Sequence, residues 1–401
     1  MILFVQPFSF GSAGGGARIL RALLQDCPAR SILVCTSPEA PRIIDPAREV
    51  HLPLRPYFGK IERTRLAALP ALVTPLFKQR FVRRFEQLCR DRGGRAVHAI
   101  PHCELDFHHA QQVATKLGLP FYLQMHDDFA YSSRGYVTPK RAHAAMQSAW
   151  RNAEARFVIC DQLGVEYCRR YGVRDYIIVT DGLESVASAP STRAPGELRI
   201  YFMGLFHLEY EENLRALCVA LKRLQCLRPS VRVSITLRCG TLRPEVARIA
   251  RDMIRVLPFG TEADVQRDLS RADLLYLPLP FGTHFEPLVR FSLSTKMVTY
   301  LGSGVPILYH GPQTSAAYEL LAGHSAALPH PSLDVDSLAE TLGRICDERS
   351  RASEISGNAL KLASSRFLLQ DQRAKFWNAM TRAAAGNVAA TNSLQSVANT
   401  R

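Results

Sequence analysis

The sequence contains no run of 18 apolar residues, so nothing in it is long enough to cross a bilayer as a helix. Its ten cysteines include no C-x-x-C pair, which argues against a zinc ribbon or a dithiol redox motif. Several lie inside apolar runs (Cys35, Cys160, Cys218), the pattern of reduced, buried thiols in a cytosolic protein. No basic lead precedes Met1-Ile2-Leu3-Phe4-Val5-Gln6, which therefore reads as a first core strand and not a signal peptide. The glycine-rich stretch Gly11-Ser12-Ala13-Gly14-Gly15-Gly16 is neither G-x-G-x-x-G nor followed by Gly-Lys-Ser/Thr. A dinucleotide fingerprint and a P-loop are both excluded there.

What is present is a chain of 401 residues, 47% hydrophobic and 21% charged, too long for one ordinary core. Its net charge of +14 points to a polyanionic neighbour. Residues 60–95 hold ten Lys/Arg against three acidic groups. Within them Thr74-Pro75 reads as a helix cap and first position, with Leu76, Phe77, Phe81, Phe85 and Leu88 at helical spacing and basic residues between. Residues 75–92 are thus a core-packed helix with a solvated basic face, or a helix that meets an anionic membrane surface or an acidic acceptor. No aromatic-basic platform or helix-turn-helix pattern accompanies the charge, so nucleic acid is not expected.

Two halves show the same alternation. Strands fit 2–6, 31–35, 97–100, 120–125, 157–160 and 176–179, with helices at 16–25, 75–92, 107–117, 138–153 and 162–171. Strands then fit 198–203, 231–237, 254–257, 273–277, 306–309 and 326–328, with helices at 210–226, 243–251, 262–270, 295–302, 313–322 and 334–348. Each half reads as a doubly wound parallel sheet, an α/β architecture of two Rossmann-like domains. The expected division is a first domain over 1–184, a linker over 185–197 and a second domain over 198–365. A helix over 366–385 returns to the first domain, with Phe367, Phe376 and Trp377 as anchors, and a disordered tail covers 386–401.

Candidate site residues fall at strand ends, where open α/β sheets face their ligands. Gly15 and Gly16 let a ligand approach the backbone at a helix start. His126, Asp127 and Asp128 follow the strand 120–125; the imidazole can move a proton or bond a hydroxyl, and a carboxylate can orient an acceptor. In the second half, Gly204 and His207 follow the first strand, with Asn213 a further polar candidate, and Arg238 ends the next strand. Glu286 and Arg290 precede Ser294-Thr295-Lys296, which place two hydroxyls and a lysine at the start of a helix stopped by glycine, an arrangement that receives an anion. For each a bland alternative stands: a turn for the glycines, a helix cap for the polar groups after the strand, a surface ion pair for Glu286 and Arg290. His102, Cys103, His108 and His109 form the one metal-like cluster, and its spacing lacks a second cysteine; no metal site is expected.

The ordered set resembles a GT-B glycosyltransferase of the family 4-like (glycosyltransferase group 1) branch over about residues 1–382. The resemblance rests on Gly15-Gly16, His126-Asp127, Asp181-Gly182, Gly204, Ala272-Asp273 with Leu277-Pro278, and Ser294-Thr295-Lys296-x3-Tyr300-Leu301-x-Ser303-Gly304-x-Pro306. Two departures stand out. Thr299 and Phe291 occupy the positions of the family's paired glutamates, and Leu205 and Glu209 stand where an Arg and a Lys often follow the opening glycine.

The resemblance implies transfer of a sugar from a nucleoside-diphosphate sugar to a hydroxyl of a glycan or lipid-linked acceptor, retaining, metal-independent and in a cleft between the domains. It gives catalytic roles to His126, Lys296 and Glu286. Donor contacts fall to Gly204, His207, Arg238, Arg290, Ser294, Thr295 and Lys296, and acceptor contacts to Gly15, Gly16, Asp127 and Asp128. No cofactor is implied beyond the nucleotide sugar as co-substrate, and the setting is cytoplasmic, peripheral to the inner face of a membrane. Two other readings stay open: a catalytically silent GT-B-fold binding or assembly subunit, and a sugar-nucleotide epimerase on the same architecture.

Overall fold

The computed structural model describes residues 1–12, 14–28, 31–36, 45–54, 68–102, 104–134, 136–191, 196–206, 208–240, 242, 248 and 252–381. The tail expected over 386–401, and all but residue 248 of the helix expected over 243–251, lie outside them. The chain divides into two compact units, Met1–Asp181 with Leu369–Arg401, and Gly182–Leu368.

The first unit holds a seven-stranded parallel sheet in the order β3-β2-β1-β4-β5-β6-β7. Its strands are β1 (Ile2–Gln6), β2 (Ile32–Thr36), β3 (Glu49–His51), β4 (Ala96–Ala99), β5 (Phe121–Met125), β6 (Ala155–Val158) and β7 (Ile177–Ile178). β4 and β5 are buried along their whole length, as expected of parallel strands covered on both faces. β3 escapes the sequence pattern because it is three residues long and contains a glutamate. That carboxylate is buried, and it accepts hydrogen bonds from Phe10 N at 2.6 Å and Asp45 N at 3.1 Å. Glu49 thereby ties the edge strand to the loop after β1.

The basic helix corrects the sequence reading at its start. It spans Ala68–Asp91 with Pro75 inside it, so Thr74-Pro75 is not its beginning. A proline inside a helix leaves one carbonyl without its N–H partner and crowds the preceding turn. The burial shifts accordingly: Phe81, Phe85 and Cys89 pack into the core, whereas Leu72 and Leu76 are 74% and 78% exposed.

Residues 369–381 form a helix that packs in the first unit. Phe376 is buried against Phe157 and His98, Trp377 donates to Leu23 O at 3.1 Å, and Tyr122 donates to Met380 O at 2.8 Å. Phe367, expected as a further anchor here, instead belongs to the core of the second unit with Tyr300 and Leu362. The helix Arg349–Arg366 ends at that residue.

The second unit holds a six-stranded parallel sheet, β10-β9-β8-β11-β12-β13. Its strands are β8 (Glu197–Met203), β9 (Arg232–Arg238), β10 (Ile254–Leu257), β11 (Leu274–Pro278), β12 (Ile307–His310) and β13 (Leu328–His330). Residues 183–191 run along this unit: Leu183 N donates to Phe367 O, Ala187 N to Gly302 O and Ser191 N to Gly304 O. A side chain at Gly304 would meet Ala189 O at 2.6 Å, and Gly304 has φ +77°. Only glycine lets the two backbones pass. Among the described residues no helix is long and apolar enough to cross a membrane.

His98, on β4, is fully buried among Phe4, Phe157 and Phe376, and desolvation pulls its pKa down to about 3. A histidine held neutral in the fold takes up a proton only on unfolding across the interval between that value and its ordinary 6.5. Its contribution to stability is complete above pH 6.5 and is lost progressively as pH falls toward 3. Urea unfolding at pH 7, 6 and 5 should therefore show wild-type stability falling with acid. His98→Leu should make that fall shallower by about one proton's worth; an unchanged slope would contradict the neutral buried state.

Candidate functional site

In an open parallel sheet the ligand crevice forms at the carboxyl ends of the strands, where the strand order reverses. The second unit reverses between β8 and β11, since β9 and β10 extend one way and β12 and β13 the other. Gly204 follows β8, and the helix Thr295–Leu301, which bears Lys296, lies between β11 and β12. Gly204 has φ +93°, and a Cβ there would meet Lys296 Cδ at 3.4 Å and Cγ at 3.5 Å. Tyr300 locks the helix down by accepting a hydrogen bond from Met203 N at 3.0 Å. The lysine stem therefore lies over the glycine.

The ammonium of Lys296 sits 4.5 Å from the ring centre of Phe202 and 4.9 Å from that of Tyr210, and it donates to Leu205 O at 3.4 Å. No described carboxylate pairs with it. Loss of water around the ammonium pushes its pKa down to about 7, with the Cys239 thiol opposing the shift. A cation stacked on two rings but lacking an anion is incompletely compensated. A bound phosphate would complete it. Phe202 and Tyr210 were not legible as site residues, because an aromatic in an apolar strand or at a helix start has the same pattern as core.

The other expected donor residues divide. Ser294 is the residue before the helix and its hydroxyl makes no capping bond; Thr295 O accepts from Thr299 Oγ1 at 3.4 Å. Arg238 is spent elsewhere: it pairs with Asp268 at 2.6 Å and donates to Pro258 O at 3.0 Å. Asn213 donates to the backbone oxygens of Leu279 and His310, both at 2.9 Å. Glu286 and Arg290 face each other at 3.5 Å, about half exposed, on the short helix Glu286–Arg290. An exposed pair of this kind contributes little, and no described contact joins it to Lys296. His207 lies outside the described residues. Thr299 and Phe291 are both buried.

In the first unit the sheet reverses between β1 and β4. The loop after β1 leads into the helix Gly15–Leu24. A Cβ at Gly16 would meet His126 Nδ1 at 2.9 Å and the Phe8 ring at 3.0 Å, so the glycine and the imidazole are in direct contact. Burial lowers the His126 pKa to about 4 while Asp127 opposes the shift, and its Nε2 has no hydrogen-bond partner. Asp128 is structural: it caps the helix Phe129–Ser132 and holds Arg170 at 2.9 Å and Tyr167 at 3.3 Å. Gly15 is the first residue of its helix, and Gly14 before it makes no side-chain cap. Asp181 pairs with Arg18 of that helix at 2.9 Å. No described group of three His, Cys, Asp or Glu is arranged to hold a metal ion, and Cys103 lies outside the described residues.

Comparison with solved structures places the architecture. Sucrose-phosphate synthase from Thermosynechococcus elongatus superposes with a TM-score of 0.66 at 13% identity, over 96% of this chain and all of that one. The chain has the GT-B fold. HepE of Anabaena in complex with UDP and glucose gives 0.65 at 14% identity over 95% and 99% of the two chains. MurG of Acinetobacter baumannii gives 0.55 at 15% over 93% and 98%. No protein-family model matches the sequence, and no curated protein matches it. The two Rossmann-like units are those of the GT-B fold, with parallel sheets of seven and six strands.

The two close glycine contacts can be tested directly. Gly204→Ala forces a side chain into positive φ, a cost of about 1 kcal/mol, and presses on Lys296. Gly16→Ala meets His126 and Phe8 below 3.1 Å. Both variants should stay folded by circular dichroism. The NMR signal of the His126 ring should shift in Gly16→Ala and stay put in Gly204→Ala; the reverse pattern would refute these packings.

Proposed function

We propose that this GT-B chain is a glycosyltransferase that moves a sugar from a nucleoside-diphosphate sugar to a hydroxyl of a glycan or lipid-linked acceptor. The observation that carries the reading is Lys296, held over Gly204 at the switch point of the second sheet with its ammonium on two rings and no carboxylate partner. HepE, of the same fold, is solved with UDP-glucose, which supports a uridine diphosphate as the donor's leaving group.

In the proposed reaction the bond from the anomeric carbon to the diphosphate breaks, a bond from that carbon to the acceptor oxygen forms, and the acceptor proton is released to solvent as the diphosphate leaves with the bonding electron pair. Charge grows on the diphosphate as it leaves, and a preorganised cation is worth most where charge develops. Lys296 supplies that cation, with Ser294 and Thr295 beside it. His126 contacts the sugar or acceptor, and Gly15 and Gly16 leave room for both. The reaction is assigned as retaining and metal-independent, and the chain to the family 4-like branch, on the motif resemblance alone. On the same resemblance Glu286 keeps its catalytic assignment, Arg290 its place at the donor and Asp127 its place at the acceptor. The basic helix supports work near an anionic membrane surface on the cytoplasmic side.

Because desolvation holds Lys296 near pKa 7, a diphosphate must draw a proton onto the amine when it binds above that pH. A lysine lowered in the folded state is neutral there, and an anionic ligand raises it again. Calorimetry of UDP binding at pH 8 in buffers of different ionisation enthalpy should reveal uptake of close to one proton. Lys296→Ala should abolish the uptake and weaken binding by about tenfold, equivalent to ~1.4 kcal/mol. Binding and proton uptake that survive Lys296→Ala would sink its role. UDP binding without turnover of any nucleotide sugar would instead identify a silent scaffold.

A further inference from the structure

A cavity of about 680 Å³ lies within the first unit and belongs to none of the groups assigned so far. Three helices meet around it. The basic helix Ala68–Asp91 leads into β4, the helix Asp106–Lys116 leaves β4, and the helix Pro139–Asn152 leads into β6. A helix that connects parallel strands runs antiparallel to them, so the starts of all three lie at the carboxyl edge of the sheet, where such folds bind ligands. Lys78, His108, His109 and Arg141 line the cavity together with one acid, Glu104.

The chemistry of this lining is specific. Lys78 and Arg141 come from different helices and neither has a described ion-pair partner, and the lining carries these two cations against one carboxylate. The Lys78 charge reaches both imidazoles, adding to burial in lowering their pKa values, that of His109 to about 4. The histidines are therefore neutral and add hydrogen-bonding capacity without adding charge. His109 is only 6% exposed, and its Nδ1 has no hydrogen-bond partner. A buried polar atom left unpaired is uncommon and marks a place where a ligand or water belongs. At one side Leu72, 74% exposed, forms part of the wall, with Leu76 one turn beyond.

We propose that this cavity binds a phosphate ester, with Lys78 and Arg141 on the phosphate and His109 on an ester or sugar oxygen, and that it is the acceptor subsite of the transfer reaction. The second part rests on the function proposed above; the first does not. The ester is either a soluble sugar phosphate or the headgroup of a phospholipid, for which the exposed leucines provide an apolar edge.

The test titrates the intact protein with glucose 6-phosphate and, as the neutral control, with glucose. Saturable binding of glucose 6-phosphate but not glucose is expected, weakened about tenfold or more by Lys78→Ala and by Arg141→Ala and unchanged by Lys296→Ala. Both cavity substitutions are at positions open to solvent or partly so, and UDP binding by the same variants checks that they fold. Where the soluble ester does not bind, flotation with phosphatidylcholine vesicles with and without phosphatidic acid decides the source. Recruitment by phosphatidic acid that requires Lys78 and Arg141 assigns the phosphate to a lipid. Binding that treats glucose and glucose 6-phosphate alike, or indifference to both cavity variants in both assays, overturns the proposal. Loss of UDP binding with phosphate-ester binding intact would reject the transfer reading and leave the cavity standing.

Discussion

The second unit is organised around an ammonium that the chain itself does not neutralise. Desolvating a lysine costs several kcal/mol, and stacking on aromatic rings returns about 0.5–2 kcal/mol of that. The remainder survives as the depressed pKa of Lys296. Such a group is retained only where the surrounding structure dictates its position. Here the determinants are the Tyr300 hydroxyl on Met203 N, the Gly204 backbone under the side-chain stem, and the rings of Phe202 and Tyr210. Remove any of these and the lysine has cheaper places to go in solvent. The site is therefore a standing demand for negative charge, held in place by packing.

The first unit makes the opposite provision. Its switch point offers His126, an imidazole kept neutral by burial, and several carboxylates of the unit are consumed by the fold. Asp128 holds Arg170, Asp181 holds Arg18, and Glu49 takes two backbone N–H groups. A neutral imidazole suits hydroxyl groups, and a cation suits a diphosphate. At the two switch points, then, the folds leave uncommitted a neutral imidazole in the first unit and a lysine in the second. In the second unit the same sorting removes Arg238, whose partner Asp268 is part of the scaffold.

The parallel α/β class of each half and most elements were legible because the period-2 and period-3.6 patterns are strong in such halves, and the buried strands are continuous apolar runs. What escaped followed from features that pattern cannot carry. β3 is three residues with an internal glutamate, whose burial depends on distant N–H groups at Phe10 and Asp45. Pro75 reads locally as a helix start, yet the helix extends back to Ala68. Phe367 and Phe376 are nine positions apart in one helical pattern, but a break at 367–368 sends them into different cores. For the site, the contacts of Gly204 with Lys296 and of Gly16 with His126 were foreshadowed by glycines at strand ends. The aromatic cradle and the engagement of Arg238 are tertiary facts that no spacing encodes.

The stretch Gly302-Ser303-Gly304-Val305-Pro306 shows why a family-like signature and a catalytic residue need to be separated. Gly302 is packed against Leu183, and Gly304 lets the backbone of residues 187–191 pass while its carbonyl accepts from Ser191. Both glycines thus have a complete explanation in chain packing within the second unit, with no ligand required. Thr299 and Phe291 are buried, and the Thr299 hydroxyl turns back onto Thr295 O of its own helix. Gly302, Gly304, Thr299 and Phe291 therefore report how this unit folds. Lys296, eight residues before Gly304, is different: its desolvation is offset only in part, by two rings and the Leu205 carbonyl, and by no described carboxylate. Packing accounts for the first kind of residue without any chemistry, whereas packing alone leaves the charge of Lys296 without an anionic partner among the described residues.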